Sequence, residues 1–131
     1  MKFTTYKKHR PLATHECPDW EVQTVCNGNP YLEGWATENQ YILNGRFVDR
    51  PERPSSSHVW NWDACAWELN AGLVSESAIY KRNILLSESD WTQLPDVTCD
   101  KVAWATYRQS LRDLTLQPGY PFEIIWPEKP E

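Results

Sequence analysis

The spacing of hydrophobic and polar positions changes about half-way along the chain. Up to about residue 70, short β-rich runs are separated by turn residues, whereas apolar residues between about 71 and 116 recur at helical intervals. A segment rich in proline follows. Because strands come first and helices afterwards, the pattern predicts an α+β fold with N-terminal antiparallel β-hairpins, a two-helix C-terminal unit and an extended Pro-rich tail. We therefore expect a β-rich region over residues 1–70 and a helical domain over residues 71–131.

The strongest strand pattern is a hairpin over residues 39–49. Its centre, Asn44-Gly45, suits the two positive φ angles of a type I′ turn. Counting outward from this turn places Ile42 opposite Phe47. The pattern therefore predicts the register as well as the presence of this hairpin.

Other segments of the first half give weaker predictions. The first ten residues carry four cationic side chains, which indicates an edge strand with protective lysines or, as the alternative, a basic arm. The β-branched run of residues 21–26, followed by turn residues 27–30, predicts an earlier hairpin. Residues 50–57 contain two prolines and are predicted to be an exposed connector.

Residues 58–69 alternate in polarity and predict a second hairpin. A turn at Asp63-Ala64 would place Trp60, Trp62 and Trp67 on one face, because residues two apart and residues directly opposed share a face. Two interpretations of these indoles remain open. They form either a core wall packed against the helices or a platform on which sugar rings stack.

Two amphipathic helices are predicted in the second half. The first spans about Leu73 to Ser87, and the second begins after Thr98, a candidate N-cap, with Asp100 in its first turn. The apolar stripe of the second helix consists of Trp104, Tyr107, Leu111 and Leu114.

The residues after the second helix predict a turn and a short strand. The helix should stop before Pro118-Gly119, which suits the middle of a type II turn. Residues 122–126 read as a short apolar strand.

The second helix also carries two arginines four residues apart. Arg108 and Arg112 repel each other slightly on a bare helix and therefore require acceptors. These acceptors are either internal, such as Asp90 or Asp96 on the preceding loop, or belong to a partner.

Composition and charge exclude several function classes. The 131 residues include eight tryptophans and carry a formal charge of −5, which argues against nucleic-acid binding because phosphate contacts need a basic face. No apolar run suits a membrane span or a secretory signal, so we expect no membrane partner, folding in the cytosol and four reduced cysteines. The cysteines and histidines lack metal-ligand spacing, and no catalytic motif is present. We expect no metal, no cofactor and no enzymatic activity.

The C-terminal half resembles the tail-assembly chaperone domain of tailed bacteriophages. The resemblance lies in the run Lys81-Arg-Asn-Ile-Leu-Leu-Ser-Glu-Ser-Asp-Trp-Thr-Gln-Leu-Pro-Asp96, in Trp104-Ala-Thr-Tyr-Arg-Gln-Ser-Leu-Arg-Asp113, and in the motifs at residues 117–121 and 126–130. Within this pattern the structural motif residues are Asp90, Trp91, Trp104, Tyr107, Asp113 and Trp126. Residues 40–67 are similar to the region that often precedes this domain in phage tail-fibre assembly proteins.

The resemblance implies a non-enzymatic late viral protein that helps a tail fibre to fold, trimerise or attach. Its partners would be the tail fibre and other tail or baseplate proteins, in the host cytoplasm during assembly or in the virion tail thereafter. We expect partner contacts at Trp60, Trp62, Trp67, Arg108 and Arg112. Two alternatives stay open: a permanent structural component of the tail, baseplate or fibre tip, and a Trp-rich glycan- or receptor-binding module.

Overall fold

Strands occupy the first half of the chain and the two long helices occupy the second, which confirms the α+β class. The computed structural model describes all 131 residues and divides into two compact units, Met1–Glu68 and Leu69–Glu131. The strands are β1 (Lys2–Lys7), β2 (Arg10–Glu16), β3 (Tyr31–Glu33), β4 (Gln40–Leu43), β5 (Arg46–Asp49), β6 (His58–Asn61) and β7 (Ala66–Leu69). The α-helices are α1 (Val22–Cys26), α2 (Ala71–Glu88) and α3 (Lys101–Arg112), and single 3₁₀ turns occupy Asp19–Glu21, Asp90–Gln93 and Asp113–Leu116.

The first strand is the centre of a three-stranded sheet, so the predicted edge strand is wrong. The antiparallel order is β2-β1-β3, and Phe3, Thr4 and Thr5 are buried. Since the flanking lysines lie at the strand ends, they do not prevent pairing on both sides. The two neighbouring strands were not recognisable from local periodicity because each is mostly polar or very short.

The hairpin predicted after residues 21–26 is also wrong. Val22–Cys26 forms α1, which ends at Asn27 in the left-handed conformation with a φ of 47°. Val22 and Cys26 are four residues apart and both pack on Phe3 in the core of this unit. Helical spacing brings both side chains to the same face, so burial against β1 overrides the strand preference of the β-branched run.

The hairpin over residues 39–49 is confirmed in register and turn. Strands β4 and β5 pair with Ile42 opposite Phe47, and Asn44 and Gly45 have φ angles of 50° and 71°. The hairpin over 58–69 also forms, as β6 paired with β7. Its loop spans residues 62–65, four residues where two were predicted, because the Asn61 side chain accepts hydrogen bonds from the backbone N–H groups of residues 63 and 64.

The second unit is built on the two predicted helices. Asn70 caps α2 by accepting from the Leu73 N–H, and Asp100 caps α3 by accepting from the Ala103 N–H. Thr98 is therefore not the cap. All four residues of the predicted stripe are buried. Trp104, Tyr107 and Leu111 lie on α3 and pack with Leu85, Leu86, Cys99 and Trp126, whereas Leu114 lies in the 3₁₀ turn that follows α3.

The predicted strand at 122–126 is absent. The Gln117 side chain instead donates to the Ile125 carbonyl and accepts from the Ile125 N–H, both at 2.8 Å. The side-chain amide of Gln117 thus satisfies the backbone groups of Ile125 that a neighbouring strand would otherwise pair with. The type II turn is wrong as well, because Gly119 does not have a positive φ. Glycine is required there for space, since a Cβ would lie 2.7 Å from the Glu123 carbonyl oxygen.

Candidate functional site

Arg108 is the centre of a buried polar network in the second unit. Its guanidinium donates to the Leu86 carbonyl and the Ser89 hydroxyl at 2.7 Å, and to the Asp90 carboxylate at 2.8 Å. Ser89 is itself buried and donates to the carbonyls of Leu85 and Leu86. Of the two alternatives for the acceptors of Arg108, the structure shows the internal one, with Asp90 as the carboxylate. The network ties α3 to the end of α2 and to the 3₁₀ turn that follows it.

Aromatic rings surround the same junction. Trp91 packs edge to face on Trp104 with ring centroids 5.6 Å apart, and Trp104 packs similarly on Tyr107 at 5.7 Å. Burial raises the pKa of the Tyr107 hydroxyl, with a smaller contribution from the charge of Glu88. On the tail, the ring of Trp126 carries the ammonium of Lys81 at 4.2 Å. Trp104 and Tyr107 are thus buried in the core, whereas Trp91 packs on the core with one part of its ring and remains 46% exposed.

Arg112 and Arg108 have different environments although they lie one turn apart. Arg108 is only 8% exposed, whereas Arg112 lies at the surface and reaches only Gln109, at 3.5 Å. Gln109 in turn donates to Asp113, the residue at which α3 ends. Of the two arginines that sequence reasoning assigned to a partner, only Arg112 is presented to solvent.

Tyr80, Ile84 and Trp91 are large apolar side chains that the second unit exposes, and we call these three residues the exposed stripe. Tyr80 and Ile84 lie one turn apart on α2, and Trp91 lies in the 3₁₀ turn that follows the helix. Their exposed fractions are 70%, 41% and 46%. Because α2 already buries its opposite face in the core, this stripe is a second apolar face. The sequence pattern did not predict these exposed residues, because the same apolar residue types also mark the core-facing side of a helix.

The three indoles of the first unit cluster as predicted. Trp60 packs on Trp62 and Trp67 with ring centroids 6.3 and 5.4 Å apart, and Tyr41 packs on Trp60 at 5.2 Å. The guanidinium of Arg50 lies over all three indoles at 5.4 to 5.7 Å. The cluster therefore already holds a cation from its own chain.

The connector between the two hairpins is fastened to this cluster. The Trp67 indole donates to the Pro51 carbonyl at 2.7 Å, and Arg53 donates to the carbonyls of Ser56 and His58. Arg53 also lies over the Trp67 ring at 5.8 Å. Guanidinium groups thus cover faces that a stacked sugar would need, which favours a structural role for the cluster over a glycan platform. The arginines beside the prolines were the sequence signal for this arrangement.

The arrangement of side chains gives little support for a metal site or for a nucleophilic thiol. The four cysteines are free, and no three histidine, cysteine or acidic residues converge as metal ligands. The burial of Cys26 and Cys65 raises the pKa of each thiol, which disfavours the nucleophilic thiolate. None of the helices has the length and apolar character needed to span a bilayer.

Comparison with known proteins gives a match within the second unit only. No curated protein and no solved structure matches the chain. The family model described as phage tail assembly chaperone protein matches residues 75–131, a segment that contains the Arg108 network, the aromatic core and the exposed stripe of α2. This match confirms the resemblance of the C-terminal half of the chain to phage tail assembly chaperone proteins that its motifs indicated.

Proposed function

We propose that this protein is a non-enzymatic chaperone that binds a bacteriophage tail fibre and promotes its folding, trimerisation or attachment. The observation that carries the proposal is the family match over residues 75–131, which supports a role in phage tail assembly. The partner-specific step, binding to the fibre, rests on the similarity of residues 40–67 to the segment that precedes this domain in fibre-assembly proteins.

The exposed stripe of Tyr80, Ile84 and Trp91 is the surface best suited to this task. Fibres are rich in β-structure and assemble slowly, so their unpaired edges and apolar surface need cover until the subunits associate. Aromatic side chains supply large contact areas and dominate binding energies at such interfaces. Tyr80 and Ile84 lie on α2, whose Leu85 and Leu86 pack against the core, so the backbone that carries them is already ordered before binding.

Arg112 supplements the stripe as a surface cation, whereas Arg108 acts indirectly. Because the Arg108 guanidinium holds the junction of α2 and the Asp90–Gln93 turn, it positions Trp91. The proposed interface therefore has apolar contacts made by the stripe and a buried network that supports them.

Co-expression with the cognate tail fibre tests the proposal. We expect the fibre to be soluble and trimeric with the protein and aggregated without it. The double variant Tyr80→Glu, Ile84→Glu should lose this effect, whereas Ala105→Glu, which adds a charge at an exposed position of α3, should retain it. Circular dichroism would establish that both variants fold.

Two outcomes would overturn the proposal. A fibre that becomes soluble and trimeric equally well without the protein has no need of a chaperone. Mass spectrometry of purified virions is the second measurement, because one copy per fibre in infectious particles, without any effect on fibre solubility, would identify a permanent structural component instead.

A further inference from the structure

A cationic cleft lies at the turn end of β1 and β2 in the first unit. It has a volume of about 340 Å³ and is lined by Lys7, Lys8, Arg10, Leu12, Trp62 and Asp63. The three cations and one carboxylate give it a surplus of positive charge in a chain whose formal charge is −5. The cleft is separate from the exposed stripe of α2 and from the residues matched by the family model.

The cations of the cleft are incompletely paired. Lys8 donates to Asp63 at 2.7 Å, but neither Lys7 nor Arg10 has a carboxylate within 4 Å. Lys7 and Arg10 lie directly opposite each other in the β1–β2 pair. Like charges at directly opposed positions destabilise a sheet, so this pair favours a ligand that supplies negative charge between the strands.

The cleft also has an apolar side. Leu12 is 49% exposed beside it, and the Trp62 ring carries the Arg10 guanidinium at 5.6 Å. The indole attracts the guanidinium, and the planar guanidinium group suits bidentate hydrogen bonding to a carboxylate. A ligand that fits all these groups carries carboxylates for Lys7 and Arg10 and an apolar side chain for Leu12.

We infer that this cleft binds a short acidic segment of a partner protein in which glutamate or aspartate alternates with an apolar residue. A nucleic acid fits less well, because a duplex or long strand extends past the cleft and meets the negative charge of the rest of the chain. A short peptide touches the cleft alone. The identity of the partner rests on the proposed function. If the partner is the tail fibre, the cleft would hold an acidic part of the fibre while the exposed stripe covers apolar surface.

Fluorescence anisotropy with labelled probes tests the cleft directly on the full chain. The probes are a peptide of four glutamates and two leucines, the same peptide with glutamine for glutamate, and a twelve-nucleotide oligothymidine. We expect only the acidic peptide to bind, with an affinity that falls as salt rises from about 50 to 500 mM, since screening acts on exposed charges.

Charge reversal then locates the binding site. The double variant Lys7→Glu, Arg10→Glu should bind the acidic peptide about tenfold more weakly, because two favourable exposed contacts become repulsive. The control Arg46→Glu reverses an exposed cation on β5 that lies outside the cleft and should bind as the unaltered protein does. Circular dichroism and the emission of the tryptophans would show that both variants are folded.

The possible results separate this inference from the proposed function. If the acidic peptide does not bind, if oligothymidine binds more tightly, or if both variants lose affinity equally, the cleft is not a site for acidic segments. The fibre co-expression assay could still succeed in that case. Conversely, a fibre that needs no chaperone would overturn the proposed function while peptide binding at the cleft still stood.

Discussion

Replacing Arg108 with methionine tests whether the buried network stabilises the second unit. Methionine keeps most of the side-chain volume and removes all three hydrogen bonds of the guanidinium. Each bond from a charged donor to a buried acceptor contributes about 1.5–3 kcal/mol. The contact with Asp90 contributes at most about 1 kcal/mol, because that carboxylate is 67% exposed and solvent screens the pair.

Two effects reduce the loss. The Leu86 carbonyl keeps two donors without Arg108, the N–H and the hydroxyl of Ser89, so it is not left unsatisfied. The variant also avoids the free energy of burying a guanidinium, whose Nε has no hydrogen-bond partner in the native fold. We therefore expect the free energy of unfolding of this unit to fall by about 2 kcal/mol, well short of the sum of the bonds.

Hydrogen exchange read by mass spectrometry measures this loss locally. In peptides that cover α3, a loss of 2 kcal/mol corresponds to opening that is about 30 times more frequent. Arg112→Met is the matched control, because that arginine lies at the surface and should change exchange by less than about 0.5 kcal/mol. Equal exchange in the two variants would refute the reasoning that Arg108 is a structural residue.

Three further predictions concern the caps, the turn and one ion pair. Asp100→Ala should lower the stability of α3 by about 1 kcal/mol in thermal unfolding, whereas an equal effect of Thr98→Ala would contradict the observed cap. Gly45→Ala should cost about 1 kcal/mol because its φ is 71°, and an unchanged melting temperature would rule out a strained turn. The hydrogen bond and charge of Lys8 hold the pKa of Asp63 below its ordinary value of 3.8, so the stabilising effect of the pair is present above the unfolded pKa and is lost as the pH falls through the folded one. Carbon NMR titration should show this lower midpoint, and Lys8→Met should raise it; an unchanged midpoint would mean that the pair does not form in solution.

Local patterns identified the elements whose determinants lie within a few residues. A type I′ turn requires positive φ angles at both central residues, which Asn44 and Gly45 adopt readily, so both turn and register followed from the sequence. The stripe from Trp104 to Leu114 has an unambiguous helical period, and it is buried as expected. In each case the residues that decide the conformation are neighbours along the chain.

The sequence also showed the resemblance of the second unit to phage tail assembly chaperone proteins, yet it did not reveal the environment of its arginines. Arg108 and Arg112 have the same chemistry and similar local context, but one is enclosed by Leu86 and Ser89 and the other faces solvent. The difference depends on how α3 rotates against the end of α2. That rotation is fixed by side-chain packing across about twenty residues of sequence, which a local pattern does not contain.

Tertiary structure decided the remaining features for the same reason. Residues 22–26 are helical because Val22 and Cys26 must both reach Phe3, which lies about twenty residues away in sequence. Similarly, Lys7 and Arg10 line a cleft with Trp62 only after two distant hairpins meet. The sequence by itself determined the fold class, two hairpins, two helices and the resemblance of the C-terminal half to phage tail assembly chaperone proteins. Strand order, the burial of Arg108 and the cationic cleft arise from contacts between residues far apart in sequence, whose free energies depend on the assembled fold.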